Sequence, residues 1–112
     1  MIPRIQRSQI ATSTPALGTN AATAAVLVGG KALYPVSAAD GTKGVIIAAV
    51  DAQLGNEIKI GNRVATAVLK IYPPTGGTIN GASANVAHDT TSGQGVTLIC
   101  LVAASGGTWV TV

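Results

Sequence analysis

Short apolar segments alternate along this chain with glycine, proline and Asn-Gly or Asp-Gly turns. In Glu57–Ile60 two isoleucines alternate with two charged residues, and in Ala65–Tyr72 the side chains of Leu69 and Ile71 fall on the face opposite Tyr72. Because successive side chains of a strand point to opposite faces, both segments predict strands with an apolar inner face. The prolines that follow Tyr72 predict that the second strand ends there, since proline cannot donate to a ladder.

Seven further segments have a strand-like composition and are separated by turn residues. Gly44–Val50 is almost continuously apolar, which predicts a strand buried on both faces. Pro35 suggests that its strand lies at a sheet edge. Gly61–Asn62 is predicted to be a turn, and His88–Gly95 a polar loop. The seven strand segments are Ala24–Val28, Lys31–Val36, Gly44–Val50, Thr78–Ile79, Ala82–Ala87, Gln94–Ala103 and Thr108–Val112.

The recurrence of strands every 8–12 residues or so, without a convincing helical pattern, predicts the fold class. We expect an all-β chain, folded as a compact antiparallel sandwich or barrel of short strands. Residues 24–112 are predicted to form this single β-domain. Residues 1–23 are rich in Ser, Thr, Gln and Ala, contain Pro3 and Pro15, and are predicted to form an extended N-terminal arm that docks on a neighbour.

Composition favours an assembled protein over a free one. Charged residues make up 10% of the chain, against about 25% in typical soluble domains. A surface with so few charges suits permanent packing against other protein. The chain has no Phe and a single Trp, so its small apolar side chains each bury little area and subunit contacts would add stability. A monomeric viral or secreted domain of low charge is the alternative.

The net charge of +3 is concentrated early in the chain. Arg4, Arg7 and Lys31 all precede the first acidic residue, Asp40. Nucleic-acid binding calls for denser basic residues and aromatic platforms, so we expect no direct nucleic-acid contact. An acidic protein surface is the favoured partner for this basic segment. The apolar stretch Ala21–Val28 is too short to cross a bilayer and does not form a signal peptide, so no membrane contact is predicted.

No set of residues has the spacing of a catalytic or metal site. His88 and Asp89 are adjacent, so on a strand they point to opposite faces and do not form a base and its orienting carboxylate. The acidic residues lie on separate turns, and Cys100 stands in a strongly apolar strand where it is predicted to be a small buried hydrophobe. We therefore expect no catalytic residue, no cofactor and no bound metal.

Trp109 and Tyr72 are the large aromatic side chains that could contact a ligand. Aromatic rings can stack on sugars, but in a chain without Phe the ring of Trp109 is favoured as a plug of the core or of a subunit interface.

Five motifs follow one another between Gly44 and Val112: G-V-I-I, L-G, I-K-I-G-N, L-K-I-Y-P-P-T-G-G-T-I-N-G and G-T-W. Together they resemble a module of tailed bacteriophage virion proteins, found in small head decoration (cement) proteins and in domains of tail fibres and spikes. The Y-P…I-N-G part is the most specific. The chain departs from the module at Ile47-Ala48, where Leu-Pro is usual, and at Gly61, which precedes Asn62.

The resemblance implies a non-enzymatic virion protein that forms a homotrimer. Because the chain is one small domain, the resemblance favours a capsid decoration protein on the capsid exterior, where it would bind the major capsid protein and bridge capsomers. The alternative is a receptor-binding module of a tail fibre or spike that recognises a host surface glycan. The candidate capsid or subunit interface residues are Arg4, Ile5, Arg7, Ile10, Tyr72 and Trp109.

Overall fold

The computed structural model describes residues 9–112, which form short strands in two sheets. The first sheet has the spatial order β1-β3-β5-β9-β10-β7, and the second has the order β2-β4-β6-β8. The strands are β1 Thr14–Pro15, β2 Ala25–Val26, β3 Leu33–Ser37, β4 Gly44–Ile46, β5 Glu57–Asn62, β6 Leu69–Tyr72, β7 Thr78–Ile79, β8 His88–Thr90, β9 Gly95–Val102 and β10 Thr108–Thr111. 3-10 turns are formed by Ala49–Asp51 and by Ala104–Gly106.

The chain winds between the two sheets in stacked coils. From β1 to β6 it alternates strand by strand, first sheet then second sheet, and each strand pairs in parallel with the strand two positions later. Thr14 lies beside Val36, and Val36 beside Asn62, in successive coils of the first sheet. This arrangement of three coils is a β-solenoid.

The third coil is closed by antiparallel strands. β8 pairs antiparallel with β6, and β9 pairs antiparallel with β5. The all-β prediction is confirmed, whereas the antiparallel sandwich or barrel was wrong, because most pairings are parallel and both sheets are mixed. Turn residues at regular spacing show where the chain bends. They do not distinguish a hairpin from a bend toward the opposite sheet, because both kinds of bend have the same composition.

The core lies between the inner faces of the two sheets. Ile58 and Ile60 of β5 face Leu69 and Ile71 of β6 across it, and all four side chains have 0% exposure. This confirms the predicted inner faces of both strands. Trp109 is the largest fully buried side chain, and its indole N–H donates to Gly106 O at 3.0 Å.

Several local predictions were wrong. Gly61–Asn62 continues β5, and Asn62 is buried with its side-chain amide donating to Ala67 O at 2.7 Å, so it shapes the bend that follows. The weak strand predicted at Ala82–Ala87 does not form, because Ala84–Asn85 is a turn. A strand forms instead at His88–Thr90, inside the predicted polar loop, where an antiparallel partner is available. Pro35 lies in β3, between β1 and β5 and not at an edge.

Residues 9–23 belong to the first coil. Thr14–Pro15 is β1, and Ala11 and Ala16 lie in the hydrophobic core. This stretch is therefore attached to the rest of the fold through β1 and these two alanines, and β1 accommodates Pro15 because it is an edge strand. The division of the chain at residue 23 stays a prediction. Residues 1–8, the remainder of the predicted arm, lie outside the described residues.

Asp40 fixes the turn that leads into β4. Its Oδ1 accepts hydrogen bonds from the Thr42 hydroxyl at 2.7 Å and from the N–H groups of Thr42 and Lys43 at 2.9 and 3.0 Å. These hydrogen bonds, led by that of the Thr42 hydroxyl, lower the pKa of Asp40 from 3.8 to about 2. The turn therefore binds the ionised form of the carboxyl group in preference to the protonated form.

We expect the Asp40 turn to contribute acid-sensitive stability. A carboxylate whose pKa is lowered by folding stabilises the fold above its unfolded pKa, and this contribution is lost as pH falls through the folded pKa. The window here runs from about pH 4 down to about pH 2. Asp40→Asn should remove this part of the acid dependence, measured as the urea midpoint at several pH values. Thr42→Val, which deletes the strongest donor, should reduce it; an Asp40→Asn variant with the wild-type acid profile would contradict the assignment.

Candidate protein-interaction surface

One corner of the solenoid is apolar and exposed. It is formed where the chain passes from the second sheet to the first, between β2 and β3 and between β4 and β5, together with the end of β9. We call it the apolar corner. Its large side chains are between 48% and 75% exposed, and they are Val26, Val28, Val50, Leu54, Leu101 and Val102.

Successive bends of the chain stack to build this corner. The Gly30 N–H donates to Asp51 Oδ1 at 2.9 Å, which ties the bend after β2 to the bend after β4. The Gly55 N–H donates to Cys100 O at 2.8 Å, which brings Leu54 next to β9. The exposed apolar residues of three bends are therefore held on one side of the molecule.

Two grooves run along the apolar corner. A groove of about 360 Å³ lies between Val26 and Ala103 and is lined mainly by apolar residues, including Ile46, Ala49 and Pro74. A second groove, of about 540 Å³, separates Val50 and Leu54 from Gln9 and Lys31 at the start of the described chain. Both are open clefts on the surface, suited to receiving side chains of another protein.

A buried polar network supports the corner from beneath. Asp51 is 4% exposed, and its Oδ2 accepts a hydrogen bond from the hydroxyl of Tyr34, which is 0% exposed, at 3.2 Å. The Asn56 amide donates to Asp51 O at 2.9 Å. Burial is the main cause that raises the pKa of Tyr34, and the Asp51 carboxylate adds to it. The network is satisfied internally, so it positions the bend and does not offer itself to a ligand.

The exposed side chains that form the apolar corner are uncharged, and the charged residues Lys31 and Glu57 line the groove beside Val50 and Leu54. The stretches 8–30, 44–56 and 90–112 contain one charged side chain, Asp51, which is buried. The three exposed carboxylates form the ion pairs Lys43–Asp40, Lys59–Glu57 and Lys70–Asp89, and Glu57 borders the second groove. Exposed apolar patches that lack charge are typical of protein interaction sites.

The predicted interface residues do not come together at this corner. Ile10 is 41% exposed and lies at the start of the first coil. Tyr72 is 7% exposed, with its hydroxyl 3.4 Å from Thr19 O, and Trp109 is 0% exposed. Arg4, Ile5 and Arg7 lie outside the described residues.

Sequence reasoning missed the apolar corner, although a signal for it exists. Val28 directly precedes Gly29-Gly30, and Leu54 directly precedes Gly55. Large apolar residues beside glycine turns are unusual, because turns run over the surface and favour polar side chains. Val50, placed by the sequence in a strand buried on both faces, is 59% exposed in the 3-10 turn Ala49–Asp51.

All three aromatic residues of the chain are inside the fold. Tyr34 and Trp109 are 0% exposed and Tyr72 is 7% exposed, so none presents a ring for stacking. Cys100 is buried and free, and burial raises the pKa of its thiol. Within residues 9–112, no three His, Cys, Asp or Glu residues are grouped so that they could hold a metal ion. The same part of the chain has no helix of the length and apolarity needed to cross a membrane.

Comparison of the chain with protein-family models, with curated proteins and with solved structures finds no match.

Proposed function

We propose that this chain is a non-enzymatic structural protein of a phage virion. In this proposal it binds the outer surface of the major capsid protein shell as a decoration protein and stabilises the shell by bridging capsomers. The observation that carries the binding role is the apolar corner, a group of large exposed apolar side chains on a chain whose exposed carboxylates are already engaged in ion pairs. The assignment to the capsid rests on the resemblance of the motifs between Gly44 and Val112.

The chemistry of the apolar corner supports attachment through contact area. Apolar surface removed from water contributes about 25 cal/mol per Å², and a decoration protein repeats that contact at many sites on one shell. Arg4 and Arg7 enter the proposal as contacts to acidic groups of the capsid protein. Recognition of a glycan by stacking, the tail-fibre alternative, is disfavoured because no aromatic ring is exposed.

The test uses phage particles that lack this chain, to which purified protein is added back. Addition of the wild-type chain is expected to give many copies per capsid, counted by quantitative mass spectrometry, and to raise the temperature at which heated particles release DNA. A double variant Val50→Asp with Leu54→Asp should bind poorly, because it places charge in the contact. Both side chains are mostly exposed, so the variant should fold normally by circular dichroism.

Thr66→Asp with Thr91→Asp is the matched control, since both threonines are exposed on the bends at the opposite side of the coils. This control should bind as the wild type does. Particles that are equally heat-stable with and without the chain would overturn the decoration role. Equal binding by the two double variants would remove the apolar corner from the contact while leaving the decoration role standing.

A further inference from the structure

The two sheets end in four edge strands, β1 and β7 in the first sheet and β2 and β8 in the second. An edge strand presents backbone N–H and C=O groups that can pair with another chain, and proteins usually block such edges with proline, charge or a covering loop. The four edges of this fold differ in whether they carry such a block.

The β1 edge is blocked by proline. The Ala16 N–H donates to Ser37 O at 2.8 Å, on the side of β3. Because successive residues of a strand turn their backbone groups to opposite edges, Pro15 faces outward, and it has no N–H to donate.

The β7 and β8 edges are blocked by a loop and by charge. Beside β7, the Asn85 N–H donates to Gly77 O at 3.0 Å, so the following loop covers that edge. On β8, the exposed side chain of Asp89 is ion-paired with Lys70 at 2.8 Å. A strand added at β8 would have to pack beside this charged pair.

The β2 edge carries none of these blocks. The Leu27 N–H donates to Ile46 O at 3.1 Å, on the side of β4, so the backbone of Val26 faces outward. The Val26 side chain is 70% exposed, and among residues 9–112 no strand pairs with this edge. The sequence has no charged residue between positions 8 and 30 and no proline between positions 16 and 34.

We propose that β2 pairs with β2 of a second copy of this chain across a two-fold axis. The two four-stranded second sheets would then form one continuous eight-stranded sheet. A two-fold axis makes the paired strands antiparallel and sets each residue near its own counterpart. Only an uncharged edge satisfies that arrangement without repulsion between like charges, and β2 is such an edge.

The choice of a second copy follows from the comparison of the edges. A head-to-tail contact would need a second, different open edge, and the other three edges are blocked. The contact is therefore self-complementary and closes as a pair. This pairing does not depend on the virion role, although Val26 belongs both to β2 and to the apolar corner. It differs from the homotrimer that the sequence resemblance implies, which stays a prediction.

The test is the molar mass in solution, measured by light scattering and sedimentation equilibrium up to about 100 μM, which detects contacts with a Kd of that order. The wild-type chain is expected at twice the 11.0 kDa of one copy. Val26→Lys should be a monomer, because it sets two ammonium groups against each other. Val26→Pro should also be a monomer, because it removes the outward N–H without adding charge.

Leu54→Lys is the matched control, since Leu54 is 75% exposed on the apolar corner but does not lie on β2. This variant should keep the mass of a pair. A monomeric wild-type chain, a mass of three copies, or dissociation by Leu54→Lys in place of Val26→Lys would each overturn the proposal. Circular dichroism establishes that each variant is folded. Because the assay uses the isolated chain, its result does not depend on capsid binding. The chain can be a monomer and still bind capsids, or form a dimer and not bind them.

Discussion

Trp109→Ala is expected to cost about 3–5 kcal/mol of folding free energy, a large part of the 5–15 kcal/mol or so that holds a typical domain together. The Trp109 side chain is fully buried, lies beside Cys100 of β9 and Ile79 of β7, and donates its N–H to Gly106 O. The residues around it are small or β-branched, so they have little freedom to fill the cavity left by alanine. Urea unfolding followed by circular dichroism measures the loss.

Two further variants separate the causes of that loss. Trp109→Phe keeps most of the apolar contact but leaves Gly106 O without its donor, and it should cost about 1–3 kcal/mol. Val112→Ala removes an apolar side chain that is 75% exposed and should change stability by less than about 0.5 kcal/mol. A Trp109→Ala variant as stable as Val112→Ala would show that the indole is not central to the core.

Gly106→Ala is expected to destabilise the fold more than Gly81→Ala does. Gly106 has φ +83°, a conformation that costs a non-glycine residue about 1–3 kcal/mol. A Cβ at this position would also lie 2.6 Å from both Pro74 O and Gly77 N, and still closer to Thr75 O. These are backbone atoms of the turn between β6 and β7, so they cannot rotate away, and the turns at Gly106 and Pro74 would have to separate.

Gly81→Ala is the matched control for the backbone conformation. Gly81 has φ +77°, but a Cβ there would meet no atom within 4 Å. It should cost about 1 kcal/mol, from conformational strain alone. Gly106→Ala should cost about 3 kcal/mol or more, the excess being the clash between the two turns. Thermal unfolding of both variants measures the difference, and equal losses would show that close packing of the two turns is unimportant.

The sequence predicts the strands better than their connections. The alternation of Ile58 and Ile60 with charged neighbours identifies β5 and its inner face, and the apolar run before Ala103 identifies β9. Neither pattern carries information about which sheet a strand joins. A chain that turns at Gly29-Gly30 or at Gly55 can fold back beside the strand it has just left or cross to the opposite sheet, and both courses use the same turn residues.

The apolar corner could not be predicted from the sequence for a related reason. Val50 and Leu54 are apolar, and Val50 lies in Gly44–Val50, a segment predicted to be a strand, where an apolar side chain is expected to be buried in the core. Their exposure depends on the 3-10 turn Ala49–Asp51, which is stabilised by the contact of Asp51 with Tyr34 and Gly30, residues far from it in sequence. Trp109 shows the opposite case, because its size alone favours burial wherever the core lies.

Because the coils are stacked, the free energy needed for local opening differs from one coil to the next. In a solenoid each coil contacts only its neighbours, so stability passes from one coil to the next. The third coil, with β5 and β6, is held between the second coil and the closing strands β9 and β8, whereas the coil of β1 and β2 is held from one side within the described residues. Local opening thus requires least free energy at the first coil and most at β5. A partner that binds the first coil would contact its free side as a further coil would. Such binding would raise the free energy needed to open the first coil, and would therefore stabilise the coils stacked on it.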